Sequence, residues 1–189
     1  MNMFKRSVLA PLAVSGALLA VASPSAFAAD GVINFMGSIS DTTCDINGQA
    51  PGEGNVTQVD LGTVSPAHFI AVNIASDFKP FDLVLSGTGC TNGKMASIAF
   101  DGATNVDQNT GNLKLTGNSQ AGGVQIQIFN NGNGSSTKIP LGGREATPQQ
   151  AEIKNNTTTL KYKASYISTA DTVTAGSGVS HIRYVLAYQ

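Results

Sequence analysis

Few residues of this sequence could support acid–base, nucleophilic or metal chemistry. It has two histidines, His68 and His181, and neither lies near a cysteine. His68 falls in a predicted loop, and His181 falls on the polar face of a predicted last strand. Neither position would hold a histidine in the orientation that a Ser-His-Asp triad needs. Neither a G-x-S-x-G elbow nor a P-loop is present. Acids such as Asp101 and Asp107 are interpreted as turn residues, and the sequence predicts no enzyme and no cofactor.

The remaining candidates for chemistry are the two cysteines, Cys44 and Cys90. An even cysteine count in an oxidising compartment favours one disulfide. The alternative is a zinc site, but four ligands are needed and two histidines supply too few. The sequence therefore predicts a structural disulfide and no metal.

The first 28 residues have the pattern of an export signal. Lys5 and Arg6 precede an apolar run over residues 8–21, and a small-x-small site follows at residues 26–28. A transmembrane anchor is the alternative, but the run is interrupted and is shorter than the about 20 residues that a spanning helix needs. We expect a signal peptide over residues 1–28, a mature chain that begins at Ala29, and no membrane insertion.

The charge of the mature chain argues against nucleic-acid binding. The whole sequence has 11 Lys and Arg against 12 Asp and Glu. Removing residues 1–28 takes away Lys5 and Arg6 and no acid, which leaves 9 basic residues against 12 acidic ones. A mildly acidic chain without a basic cluster lacks the electrostatic features of a nucleic-acid binder.

The elements that must position these residues are short strands. Apolar residues alternate with polar ones in many short runs separated by Gly-, Asn- and Asp-rich turns, which predicts an antiparallel sandwich in one domain. The only helical candidate, residues 146–151, contains Pro148 and is limited to about one turn. The alternating runs are Ile33/Phe35/Ile39, Phe81/Leu83/Leu85, Ile98/Phe100, Leu113/Leu115, Val124/Ile126/Ile128, Leu160/Tyr162/Ala164/Tyr166 and Ile182/Tyr184/Leu186/Tyr188.

Three features of the mature chain carry a family resemblance. Residues 31–39, followed by Cys44, resemble the N-terminal signature of pilin subunits of the chaperone-usher type. Residues 81–85 lead into Cys90 as that family approaches its second cysteine. Gly176, the fourteenth residue from the C-terminus, precedes the alternating run that ends in Tyr188, as in the family's C-terminal motif.

The resemblance implies an incomplete immunoglobulin-like β-sandwich that is completed by a donated strand. Residues 29–40 would be a donor-strand extension and residues 41–189 the pilin domain. A periplasmic chaperone would fill the groove beside the last strand first. At an outer-membrane usher, the next subunit's extension would replace it by strand addition. The implied product is a head-to-tail surface fimbria that supports cell adhesion.

Roles for individual residues follow from the same resemblance. Ile33, Phe35 and Ile39 would form the buried face of the donated strand, with Gly37 allowing close approach on that face. Without the resemblance, these residues could form an ordinary edge strand with a bulge at Gly37.

The groove and chaperone-recognition residues would be Gly176, Ile182, Tyr184, Leu186, Tyr188 and Gln189. Tyr188 could alternatively be a plain core aromatic. The alternative function is a stand-alone secreted sandwich that binds a ligand such as a carbohydrate.

Overall fold

Short antiparallel strands make up nearly all the regular structure of the described residues. The computed structural model describes residues 41–132 and 134–189, which belong to one compact unit. The strands are β1 (Asp45–Ile46), β2 (Lys79–Ser86), β3 (Met95–Phe100), β4 (Val106–Asp107), β5 (Asn112–Leu113), β6 (Val124–Asn130), β7 (Ala151–Glu152), β8 (Thr157–Ser168) and β9 (Tyr184–Tyr188). In this part of the chain the one helical element is a 3-10 turn at Pro66–His68. The all-β prediction is confirmed, and residues 146–151 hold no helix.

The strands form two antiparallel sheets. The larger sheet has the order β1-β2-β8-β6-β5-β4, and the smaller has the order β7-β3-β9. The long β8 pairs with β2 on one side and with β6 on the other. Pro80, which has no N–H to donate, lies in β2 beyond the two-residue pairing with β1, where β2 is an edge.

Period-two patterning places the core between the sheets. In β6, Val124, Ile126 and Ile128 are buried in the core, while Gln125 and Gln127 lie on the opposite face. The alternating runs predicted for β2, β3, β6, β8 and β9 are confirmed as strands. Ile182 lies just before β9, and Leu115 is buried beyond the end of β5.

Aromatic contacts join the two layers at the centre of the core. Tyr162 of β8 is 2% exposed and stacks on Phe81 of β2, with ring centroids 5.6 Å apart. The same ring meets Phe100 of β3, in the other sheet, edge-to-face at 5.7 Å. Such pairs add to the stability gained from burial alone, so Tyr162 holds the sheets together.

Candidate strand-acceptor site

The structure describes only one side of the expected donor–acceptor contact. The proposed donor residues Ile33, Phe35, Gly37 and Ile39, and the predicted signal peptide, lie outside the described residues. The C-terminal strand and the segments that face it are described, and they can be examined as an acceptor for an added strand.

Strand β9 is paired along one edge only within the described part of the chain. Its residues pair with β3 in the register Ala96↔Tyr188 to Phe100↔Tyr184. The backbone of Gln189 continues this ladder by exchanging two hydrogen bonds with Met95. No other described strand pairs with β9, so its second edge offers backbone donors and acceptors to an incoming strand.

The side chains on the inner face of β9 are incompletely covered. Tyr184, Leu186 and Tyr188 alternate toward the core and pack against it, yet each is only half-buried, as is Ile182 before them. By contrast, Leu160 at the middle of the larger sheet is 0% exposed. Val185, which points to the other face, is 68% exposed. The inner face of the sandwich is therefore open to solvent beside β9.

An extended segment that the sequence analysis missed lies beside this opening. Residues 55–61 alternate between half-buried and exposed, as a strand would, and Leu61 packs against the core. From Val56 to Leu61 the backbone forms no hydrogen bond with another described residue. The segment ends at a turn in which the Gly62 amide donates to the Asp60 carboxylate. The alternation of Thr57, Val59 and Leu61 was the sequence signal that could have revealed it.

Side chains, rather than a backbone ladder, connect the N-terminal part of the domain to the last strand. Burial raises the pKa of Tyr184, and hydrogen bonding with Thr57 partly offsets this rise. The Arg183 guanidinium lies 3.7 Å from the Glu53 carboxylate. We call the space between β9 and residues 55–61 the groove. Among the described residues, the backbone of residues 56–61 and the outer edge of β9 have no ladder partner, so an added strand could bond to either.

The predicted residues Tyr188 and Gly176 have distinct surroundings. The Tyr188 hydroxyl accepts a hydrogen bond of 3.3 Å from the Cys44 amide, and burial raises the pKa of Tyr188. Gly176 lies well before β9, where a Cβ would come within 2.4 Å of the backbone at Gln120 and Ala121. Gly176 is therefore required for close packing, and its part in chaperone recognition stays a prediction, as does that of Gln189.

The predicted disulfide is confirmed. Cys44 and Cys90 are bonded, with their Cα atoms 4.4 Å apart, and both are 0% exposed. The bond joins the residue before β1 to the loop after β2. It therefore fixes the amide that Tyr188 contacts.

The residues considered for catalysis have structural partners. His68 Nε2 lies 3.0 Å from the Ala75 carbonyl oxygen. His181 precedes β9 instead of lying within it, and its ring is near the Asn105 amide. Asp101 accepts hydrogen bonds from a backbone amide two residues on and from Arg183, which lower its pKa.

The Asp107 carboxylate likewise accepts hydrogen bonds from the backbone amide two residues on and from the Gln125 side chain. Asp101 follows β3 and Asp107 is the last residue of β4, and each carboxylate caps the turn that comes next. The described residues contain no group of three or more His, Cys, Asp or Glu that could hold a metal. They also contain no helix long and apolar enough to span a membrane.

The chain is similar to fimbrial proteins over most of its length. A family model described as "Fimbrial protein" matches residues 33–189. The probable major fimbrial subunit LpfA of Escherichia coli O157:H7 is 32% identical over 90% of this chain and 92% of that protein. Long polar fimbria protein A of Salmonella typhimurium is 33% identical over 90% of this chain and 92% of its own length.

A solved structure supports the fold. The P pilus rod subunit PapA is 21% identical, with a TM-score of 0.54 over 78% of this chain and 99% of that chain. At this identity the likeness shows the fold alone. It agrees with the predicted immunoglobulin-like pilin sandwich.

Proposed function

This chain belongs to the fimbrial protein family and is a structural subunit of a pilus, and we propose that it polymerises by donor-strand exchange into the groove beside β9. The observation that supports the proposal is the incomplete burial and incomplete pairing of β9. Its inner side chains are half-exposed, its outer edge lacks a described partner, and the facing segment at residues 55–61 lacks a ladder. An added strand would cover the half-exposed side chains and would supply hydrogen-bond partners to both backbone segments.

The donor in this proposal is residues 29–40 of a neighbouring copy or of another pilin. Ile33, Phe35 and Ile39 would enter the open inner face in alternating register, and Gly37 would allow the backbone to approach. Each subunit would both donate and accept, so the contact is head-to-tail and does not close into a ring. We propose that the chain has no catalytic role.

The route to the surface follows from the same open groove. A subunit with uncovered apolar side chains would aggregate if it were released free into the periplasm. We propose that residues 1–28 direct export, that a periplasmic chaperone covers β9 through Tyr188 and the Gln189 carboxylate, and that an outer-membrane usher exchanges chaperone for donor. The assembled surface fimbria would then support adhesion.

The test is to fill the groove with a synthetic donor. A chain that begins at Asp41 is prepared free of chaperone and mixed with a peptide of residues 29–40. Because the peptide would bind only the folded state, we expect a higher melting temperature, equivalent to about 2.7 kcal/mol when the peptide is at 100 times its dissociation constant. A peptide with Ile33 and Asn34 exchanged, and Phe35 and Met36 exchanged, keeps the composition and disrupts the phase, and it should stabilise less.

The result that contradicts the proposal is also clear. A chain beginning at Asp41 that is already stable alone, and whose melting temperature neither peptide changes, has a complete sandwich. Its last strand would then be an ordinary edge strand.

A further inference from the structure

Two tyrosine side chains, one at each end of β9, are hydrogen bonded to the N-terminal part of the domain across from this strand. Tyr184 is the first residue of β9 and Tyr188 is the last, and both lie half-buried on its inner face. Leu186, between them on the same face, has no polar group. The two hydroxyls therefore connect β9 to the rest of the domain at both ends of the strand.

The Tyr188 hydroxyl occupies a backbone donor that an added strand would use. The Thr43 amide donates to the Gly89 carbonyl, in the loop after β2, whereas the next amide, that of Cys44, donates to the Tyr188 hydroxyl at 3.3 Å. Strand β1 follows directly, and among the described strands it pairs with β2 alone. A strand added along its other edge would offer carbonyl oxygens to the amides that face it. Since each residue has a single backbone N–H, such a carbonyl could bond to the Cys44 amide only after the Tyr188 hydroxyl leaves.

The Tyr184 contact is oriented by a chain of hydrogen bonds that begins at β2. The Val84 amide donates to Asn47 Oδ1 at 2.9 Å, so the Asn47 side-chain nitrogen is free to donate to Thr57 Oγ1, at 3.1 Å. The Thr57 hydroxyl keeps its own hydrogen for another acceptor, and its side chain is hydrogen bonded to Tyr184. This contact joins residues 55–61, one wall of the groove, to β9, the other wall.

A third contact between the same parts of the domain contributes less. The Arg183 and Glu53 side chains are 60% and 90% exposed, and their charged groups are 3.7 Å apart. An ion pair between exposed side chains is worth little, because water solvates both charges when they separate. The two hydroxyl contacts, which are half-buried, are therefore the ones that resist separation of the walls.

The position of these contacts gives them a role in strand addition. Each must break as a strand enters, and the backbone bonds that replace it form only when the strand is in place. A hydroxyl contact of this kind raises the barrier to insertion and adds nothing to the complex that results. On the basis of the proposed function, in which the groove accepts a strand, we propose that the hydroxyls of Tyr184 and Tyr188 hold the walls together until an incoming donor strand displaces them, and so limit the rate of strand addition.

The test measures the rate of strand addition to the mature chain. A fluorescein-labelled peptide of residues 29–40 is added in large excess over the chain's own N-terminal extension, and its uptake is followed by fluorescence anisotropy. Tyr188→Phe and Tyr184→Phe keep the ring and remove the hydroxyl. Each variant should take up the peptide about two- to tenfold faster than the wild type, the scale of one net hydrogen bond.

Two controls separate this role from general loosening of the domain. Tyr166→Phe is the matched control: its hydroxyl donates to the Gly178 carbonyl at 2.9 Å, a bond that involves neither wall contact, and this variant should take up the peptide at the wild-type rate. Thr57→Val removes the partner of Tyr184. Because both changes remove the same contact, Thr57→Val combined with Tyr184→Phe should be no faster than either change alone.

A second measurement reports the hydroxyl contact directly. The Cys44 backbone amide is observed by NMR with and without the peptide. Tyr188→Phe should shift this resonance in the peptide-free chain, and the peptide should bring the variant and the wild type to the same position. A hydroxyl that merely supports the fold would leave the two peptide-bound positions different.

The outcomes distinguish this role from the proposed function. A wild-type chain that takes up no peptide contradicts the proposed function, and the hydroxyls then have no part in strand addition. Peptide uptake by the wild type at a rate that neither Tyr188→Phe nor Tyr184→Phe increases would overturn the role of the hydroxyls and leave the groove as an acceptor. An equal increase in Tyr166→Phe would overturn it as well.

Discussion

Breaking the disulfide should lower the free energy of unfolding by about 4 kcal/mol. Cys44 and Cys90 are 46 residues apart in the sequence, and a closed loop of that size removes about this much conformational entropy from the unfolded chain. Reduction leaves both sulfur atoms in place and so measures the cross-link alone. A Cys44→Ala/Cys90→Ala chain should lose somewhat more, because two 0% exposed sulfur atoms are also removed from the core.

The assay is urea denaturation of the purified chain, followed by circular dichroism with and without dithiothreitol. Folded domains are stable by about 5–15 kcal/mol, so the loss should be a large fraction of the total. The double variant is its own control, since dithiothreitol should not change its midpoint. A reduced wild-type chain within 1 kcal/mol of the oxidised one would refute the loop-closure reasoning.

Three further changes have definite expected results. Tyr188→Phe removes the acceptor of the Cys44 amide and should lower the free energy of unfolding by about 0.5–1.5 kcal/mol in urea denaturation; an unchanged value would mean that water replaces the contact. Gly176→Ala should cost about 1–3 kcal/mol, because its Cβ would come within 2.4 Å of backbone atoms, and an unchanged melting temperature would contradict this. Arg183→Gln should raise the pKa of Asp101 only part of the way to its usual value in an NMR titration, because a backbone amide is the larger cause of the lowering. Since the fold lowers this pKa, Asp101 stabilises the fold above its usual pKa and loses that effect as the pH falls through the lowered value.

The longer strands were predictable because the alternation alone determines which face is buried. In β6 the apolar residues recur at every second position from Val124 to Ile128, and in β8 from Leu160 to Tyr166, and the structure places them in or against the core. The two-residue strands β1, β4, β5 and β7 are too short for any period to show within them. β1 and β7 each pair with a longer strand, β2 and β3, whereas β4 pairs with the equally short β5.

The acceptor site was only half predictable. The run ending in Tyr188 indicated the C-terminal wall, but residues 55–61 form no strand ladder in the described structure and follow a turn-rich stretch. Their role depends on what lies across the groove, which is a tertiary property. Alternation places Asn112 and Gln127 on the outer face of the larger sheet, yet both are buried. Gln127 bonds to Ser165 and Asn112 bonds to Gln125, and these side-chain contacts between strands are not visible in the sequence pattern.

The position of the disulfide has a mechanical consequence. Any tension applied through the chain before Asp41 reaches Cys44 after three residues, before it reaches the two-residue strand β1. The covalent bond passes that tension to Cys90, and the amide and carbonyl groups around Cys90 are bonded to Gly87 and Asn156. Load therefore enters the sandwich at the loop after β2. Strand β2 pairs with β8 along eight residues. Pulling would shear this long ladder instead of unzipping β1 one hydrogen bond at a time.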